Sequence, residues 1–90
     1  MRIEVTVLNK LGLHARPASE FVRAARAFKS TVVIKKNEET FSACSILDVL
    51  SANLDCGSTF ILEAEGPDAE SALEKLAKLM EDFKVQEANE

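Results

Sequence analysis

Two spacings of apolar residues take turns along this chain, and their order limits the folds open to it. Ile3, Val5 and Val7 alternate with polar neighbours, which predicts a half-buried strand over residues 2–8. Asn9 to Gly12 break the pattern as a loop. Ala18, Phe21, Val22, Ala25 and Phe28 then recur at three- and four-residue steps, the apolar stripe of a helix that begins near Ala15. Thr31 to Lys36 is rich in β-branched residues and reads as a second strand. Asn37-Glu38-Glu39 makes a turn, and Thr40 to Ser42 returns as a short third strand, so this pair is a hairpin. Ile46, Leu47, Val49 and Leu50 predict a short second helix. Ser45 is its N-cap, Asp48 completes a capping-box pattern, and Asn53 ends it. Cys56-Gly57-Ser58 is a turn before a fourth strand, Thr59 to Glu65. Gly66-Pro67-Asp68 closes that strand, with Asp68 as N-cap of a third helix marked by Ala69, Ala72, Leu73, Leu76, Met80 and Phe83.

The order strand, helix, strand, strand, helix, strand, helix implies an α+β sandwich with helices on one face of a sheet. The helical stripes and the inner sheet face share one core, and the outer face is polar. Ninety residues without a linker make one domain, 1–90. A domain of this size buries only about 60–65% of its unfolded surface, which leaves no room for a deep pocket beside a core. The chain is therefore expected to work through its surface.

A net charge of −4 argues against nucleic-acid binding, which demands clustered Lys and Arg. The first ten residues alternate in polarity and do not read as a signal peptide. Apolar runs fall far short of the roughly 18 residues a membrane span needs. Cys44 and Cys56 are accordingly expected as inert thiols of a reducing compartment, placing the chain in the cytoplasm. Their spacing matches no metal motif, so neither a metal nor another cofactor is predicted.

The segment Gly12-Leu13-His14-Ala15-Arg16-Pro17-Ala18 carries the chemistry. His14 is the one histidine, in the loop just before a helix start, with Pro17 in the first turn. Imidazole titrates near about 6.5 and is a nucleophile when neutral. A helix start offers free backbone N–H groups and the positive end of the helix dipole, the parts of an anion site. Arg16 adds a fixed cation with planar donors suited to phosphate. None of His14, Ala15, Arg16 and Pro17 is a good cap. A missing cap costs ~1 kcal/mol, and a helix start favours an anion by about 0.3–2 kcal/mol. The first-turn amides are thus expected to be left open for an incoming phosphate, with Ala15, Arg16, Pro17 and Ala18 as the phosphate-binding helix start. Spacing by itself does not identify a reaction.

Gly-Leu-His-Ala-Arg-Pro-Ala resembles the active-site signature of HPr, the histidine-containing phosphocarrier family of the bacterial phosphotransferase system. The similarity runs along the chain, through Phe21-Val22 and Ala25, Ser45-Ile46-Leu47 and Glu65-Gly66-Pro67-Asp68. The resemblance implies an open-faced sandwich, βαββαβα, with a four-stranded antiparallel sheet and three helices on one face. It implies that His14 takes a phosphoryl group from enzyme I, which draws on phosphoenolpyruvate. His14 then passes it to A-type domains of sugar permeases or their regulatory homologues, while Arg16 stabilises the transfer electrostatically. The chain would be a covalent relay rather than a stand-alone enzyme.

Partners of this kind need an apolar patch with a charged rim. Ile46, Leu47 and Leu50 are the candidate patch, Leu47 exposed and at least one of the three in the core; Arg23 and Arg26 extend the rim. Ser45 falls where many family members are phosphorylated by a dedicated serine kinase, which implies a regulatory role beside its capping role. Cys44 replaces a frequent lysine there, and Asp48 a usual glycine, which removes a cation and adds a repelling carboxylate. Asn53 also stands at a frequent glycine and tolerates the same left-handed backbone.

Two other classes compete. One is a regulatory binding protein of a nitrogen-type phosphotransferase branch with no sugar-transport role. The other is a small module that binds a metabolite in a concave pocket. Monomer is the expected state.

Overall fold

The computed structural model describes residues 1–88. In chain order the elements are β1 (Arg2–Thr6), α1 (Ala15–Arg26), β2 (Thr31–Lys36), β3 (Glu39–Ser42), α2 (Ile46–Ser51), β4 (Thr59–Glu65) and α3 (Ala69–Ala88). The sheet runs β1-β4-β2-β3 with every pairing antiparallel. This is the expected βαββαβα sandwich. β4, the last strand in sequence, sits between β1 and β2, so the segment leaving β1 lies beside the segment entering β4.

Period-two patterning explains which face is covered. Register places Ile3 opposite Leu62, Leu62 opposite Ile34 and Ile34 opposite Phe41, one apolar row across four strands. Leu62 and Ile34 are fully buried, in one core with Phe21 and Ala25 of α1, Val49 of α2, and Leu76, Met80 and Phe83 of α3. The neighbouring row faces outward. There Glu63 takes an ion pair from Lys35 at 2.9 Å and a longer one from Arg2 at 3.8 Å. The Lys35 hydrogen bond holds the Glu63 carboxyl below its ordinary value, against the opposing effect of desolvation.

Two boundaries and one cap side chain differ from the sequence expectation. β1 ends at Thr6, because regular β4 begins at Thr59. Val7 still exchanges backbone bonds with Ser58 and Gly57 (both 2.8 Å), and Leu8 lies exposed. The hairpin turn is only Asn37-Glu38, both at positive φ, so Glu39 enters β3 opposite Lys36. Two consecutive left-handed residues are the type I′ solution that matches strand twist. Asp68 precedes α3, and its C=O accepts from Ala72 at 2.9 Å. Its carboxylate, however, accepts from the amides of Lys29 and Ser30 (both 2.9 Å) and from the Ser30 hydroxyl. The expected N-cap side chain therefore ties the start of α3 to the Lys29-Ser30 segment between α1 and β2.

Among the described residues, no helix is long and apolar enough to cross a membrane, and no group of three His, Cys, Asp or Glu could hold a metal ion.

Candidate functional site

The loop between β1 and α1 is built from below. Asn9 is a loop polar residue in sequence terms, yet it is 2% exposed. Its Nδ2 donates to the Gly12 carbonyl at 2.6 Å, and its own carbonyl accepts the Gly12 N–H at 3.1 Å. Gly12 stands at φ +65, and a Cβ there would lie 2.6 Å from the Leu54 carbonyl oxygen. Only glycine fits both the left-handed backbone and the close approach. Leu13 follows, its N–H donating to that same carbonyl at 2.9 Å and its side chain buried in the core. His14, the next residue, is exposed.

His14 is the N-cap of α1, with extended backbone (φ −85, ψ −171) and no side-chain cap hydrogen bond. No acidic residue stands in the first turn. The His14 carbonyl accepts the Ala18 N–H at 2.9 Å, closing the helix. That bond narrows which backbone N–H groups the expected helix start of Ala15, Arg16, Pro17 and Ala18 can offer. The Ala18 amide is spent within the helix, its side chain is in the core, and Pro17 has no N–H. The first-turn amides ahead of the closing bond are those of Ala15 and Arg16. Ala15 and Arg16 are exposed beside His14, and Pro17 is half-buried. His14 and Arg16, both exposed, thus stand two residues apart in the chain at the positive end of a three-turn helix, and residues of these types are suited to a doubly charged phosphoryl group.

The second candidate region is α2. Ser45 is half-buried, and its hydroxyl accepts the Asp48 N–H at 3.3 Å, as an N-cap should. The reciprocal half of the capping box does not form. Asp48 instead accepts from the Ser42 amide at 2.9 Å, while the Ser45 N–H turns to the Ser42 carbonyl at 3.4 Å. Aspartate is one methylene shorter than the glutamate of a capping box, and the end of β3 supplies a nearer donor. At the other end Asn53 takes φ 51 after the cap residue Ala52. Lys36 Nζ donates to the carbonyls of Ala52 (3.0 Å) and Asn53 (2.6 Å), acceptors left over by the helix.

Val49 alone of α2 is fully buried. Leu47 is 73% exposed, Ile46 37% and Leu50 39%, so none of the three expected patch residues belongs to the closed core. Arg23 and Arg26 are exposed in the last turn of α1, where cations favour the helix end. With Ser19, Val22 and Ile46 they line a groove between α1 and α2, so the charged rim and the apolar patch meet there. Cys44 is half-buried against the core and Cys56 exposed; both are free thiols.

Sequence reasoning missed Asn9 and Leu54. The available signal was an Asn three residues before a Gly, a turn pattern in which the amide side chain closes on the backbone.

Comparison with known proteins gives one answer. The family described as PTS HPr component phosphorylation site matches residues 1–82. The phosphocarrier protein HPr of Lysinibacillus sphaericus is 42% identical over 77 residues, covering 86% of this chain and 88% of the relative. The phosphocarrier protein NPr of Shewanella violacea is 38% identical over 86 residues, covering 96% and 93%. Among solved structures, HPr-C-His from Thermoanaerobacter tengcongensis superposes with a TM-score of 0.90 at 35% identity, covering 94% of this chain and 96% of that one. Sequence, fold and relatives agree: the chain belongs to the HPr family and is a phosphocarrier of the phosphotransferase system.

Proposed function

We propose that the chain, acting as one domain over residues 1–90, accepts a phosphoryl group on His14 from the phosphohistidine of enzyme I. It then yields the group to A-type domains of sugar permeases or their regulatory homologues. The single observation that carries this reading is an exposed histidine at the N-cap of α1 with no side-chain cap bond. The neutral imidazole offers a ring-nitrogen lone pair to phosphorus. A new N–P bond forms at His14 as the donor's N–P bond breaks, and the donor imidazole leaves with that electron pair. Charge stays on the three phosphoryl oxygens, where Arg16 and the first turn of α1 stabilise it. Reversal of these roles hands the group on. The protein is thus a relay intermediate that works in the cytoplasm as a monomer and needs no cofactor.

Docking uses Ile46, Leu47 and Leu50 with Arg23 and Arg26 as rim; the groove where Arg23, Arg26 and Ile46 meet supports an acidic, partly apolar partner surface. Ser45 is the regulatory site for a serine kinase. A phosphate there gains from the start of α2 and is opposed by Asp48 in the same turn.

The test is incubation with enzyme I and radiolabelled phosphoenolpyruvate. Acid-labile label appears on the wild-type chain and is absent from His14→Ala; full labelling of that variant overturns the reading. A second reading, a regulatory protein of a nitrogen-type branch without a sugar role, is favoured by the NPr relative, which this chain matches over 96% of its length. Label transfer to a sugar-permease A domain, compared with transfer to its regulatory homologue, separates the two.

A further inference from the structure

We propose that Asn9 is a positioning residue for phosphoryl transfer at His14, an inference that rests on His14 being the acceptor. The Gly12–Leu13 peptide is gripped on both of its polar groups. Its C=O accepts from Asn9 Nδ2 at 2.6 Å, and its N–H, on Leu13, donates to Leu54 at 2.9 Å. A planar peptide held on both edges cannot rotate about the chain axis. The residue joined to it, Leu13, is itself locked by burial. The direction in which the chain delivers His14 is therefore set one peptide earlier, by a side chain that never reaches solvent.

Asn9 keeps this role at a cost, because its Oδ1 is buried and, among the described residues, has no hydrogen-bond partner. A buried amide of which half is unsatisfied is a poor choice for stability alone. A small apolar side chain would avoid that penalty, but it could not hold the Gly12 carbonyl. Reacting groups must be aligned to a fraction of an ångström, and a misplacement of ~1 Å costs about 100-fold. Release of this peptide is thus expected to reach the transfer rate without touching the surface that docks the donor.

The experiment measures transfer from phosphorylated enzyme I to wild type, Asn9→Ala, Asn9→Ser and, as a destabilised control, Val32→Ala on β2. Asn9→Ala and Asn9→Ser are expected to lower kcat roughly 10- to 100-fold, with KM within about twofold of wild type. Leu13 N–H exchange is expected to quicken in both while that of Leu62 on β4 is unchanged. Val32→Ala loses thermal stability and keeps its kcat. If one Asn9 variant does not fold at the assay temperature, the other carries the comparison; if neither folds, Asn9 is a folding residue and the proposal fails. It fails equally if kcat is unchanged, if KM alone rises, or if Val32→Ala slows as much. Persistent labelling of His14→Ala would instead remove the acceptor assignment, whatever Asn9 does.

Discussion

Helices α1 and α2 begin in opposite ways. The start of α1 has an exposed histidine at the cap position, no cap bond and no acidic residue in the first turn. The start of α2 has a serine that caps and an aspartate in its first turn, and its far end is held by a lysine from β2. Length and burial account for the difference. The twelve residues of α1 bury Ala18, Phe21, Val22 and Ala25, so packing holds that helix without a side-chain cap bond from His14. The six residues of α2 bury Val49 alone and depend on local hydrogen bonds at both ends. A helix already secured by its core contacts can leave its first turn to a ligand, and a marginal one cannot.

The largest effect expected from breaking this contrast is at Gly12, which aims the open helix start. Gly12→Ala must place a Cβ 2.6 Å from the Leu54 oxygen at φ +65. Left-handed backbone costs a side-chain-bearing residue about 1–2 kcal/mol, and overpacking about 1–3 kcal/mol. Urea denaturation should show a loss within the sum of these, and phosphate uptake should fall with it. A variant as stable as wild type would mean that the loop does not fix the site.

Next in size is the capped helix. Ser45→Ala removes the hydroxyl that accepts the Asp48 amide and should cost about 1 kcal/mol of global stability, read from the denaturation midpoint. His14→Ala should stay within about 0.5 kcal/mol of wild type, because no cap bond is lost. Equal losses at the two caps would erase the distinction between the helix starts.

The same contrast explains what could be read from sequence. The order of elements, the sheet face and the capping role of Ser45 were legible because each depends on local periodicity or on one turn of backbone. The open cap of α1 was legible as an absence, four poor capping residues in a row. The support beneath it was not. Asn9 looked like a loop residue because its burial is created by Leu54 and Gly12 meeting across 42 positions of sequence. Sequence assigns the carboxylate of Asp68 to its own helix, since it does not show that the Lys29-Ser30 segment arrives beside it. The exposure of Ile46 and Leu50 likewise depends on how α2 tilts against β3 and α1, which no periodicity within six residues can encode.

Filling the open cap sharpens the comparison further. His14→Asp sets a carboxylate at the positive end of α1, where a capping acid is worth up to about 1 kcal/mol. The variant should melt at or above the wild-type temperature while taking up no phosphate. A protein that gains stability as it loses the proposed acceptor would show that the cap is left open for function. A lower melting temperature would indicate instead that His14 already stabilises the helix start.

The smallest effect belongs to the third helix start, where Asp68 has a capping residue's position but spends its carboxylate on the Lys29-Ser30 segment that follows α1. Its carboxyl is held below the ordinary value of 3.8, first by the Ser30 hydroxyl and then by the Lys29 amide, against the desolvation that opposes them. A depressed carboxyl binds its proton more weakly in the folded chain than in the unfolded one. Its contribution is therefore complete above the unfolded value and fades as pH falls through the folded one. Asp68→Asn should lie below wild type in stability at neutral pH, with the gap closing as acid is added below about pH 4. Solvent screening at this partly exposed tie keeps the gap small. Denaturation midpoints from pH 7 down to the acid limb measure it. A gap that stays constant with pH would mean that the tie works through the geometry of its hydrogen bonds and not through the charge, and that α3, like α1, is secured by its buried face alone.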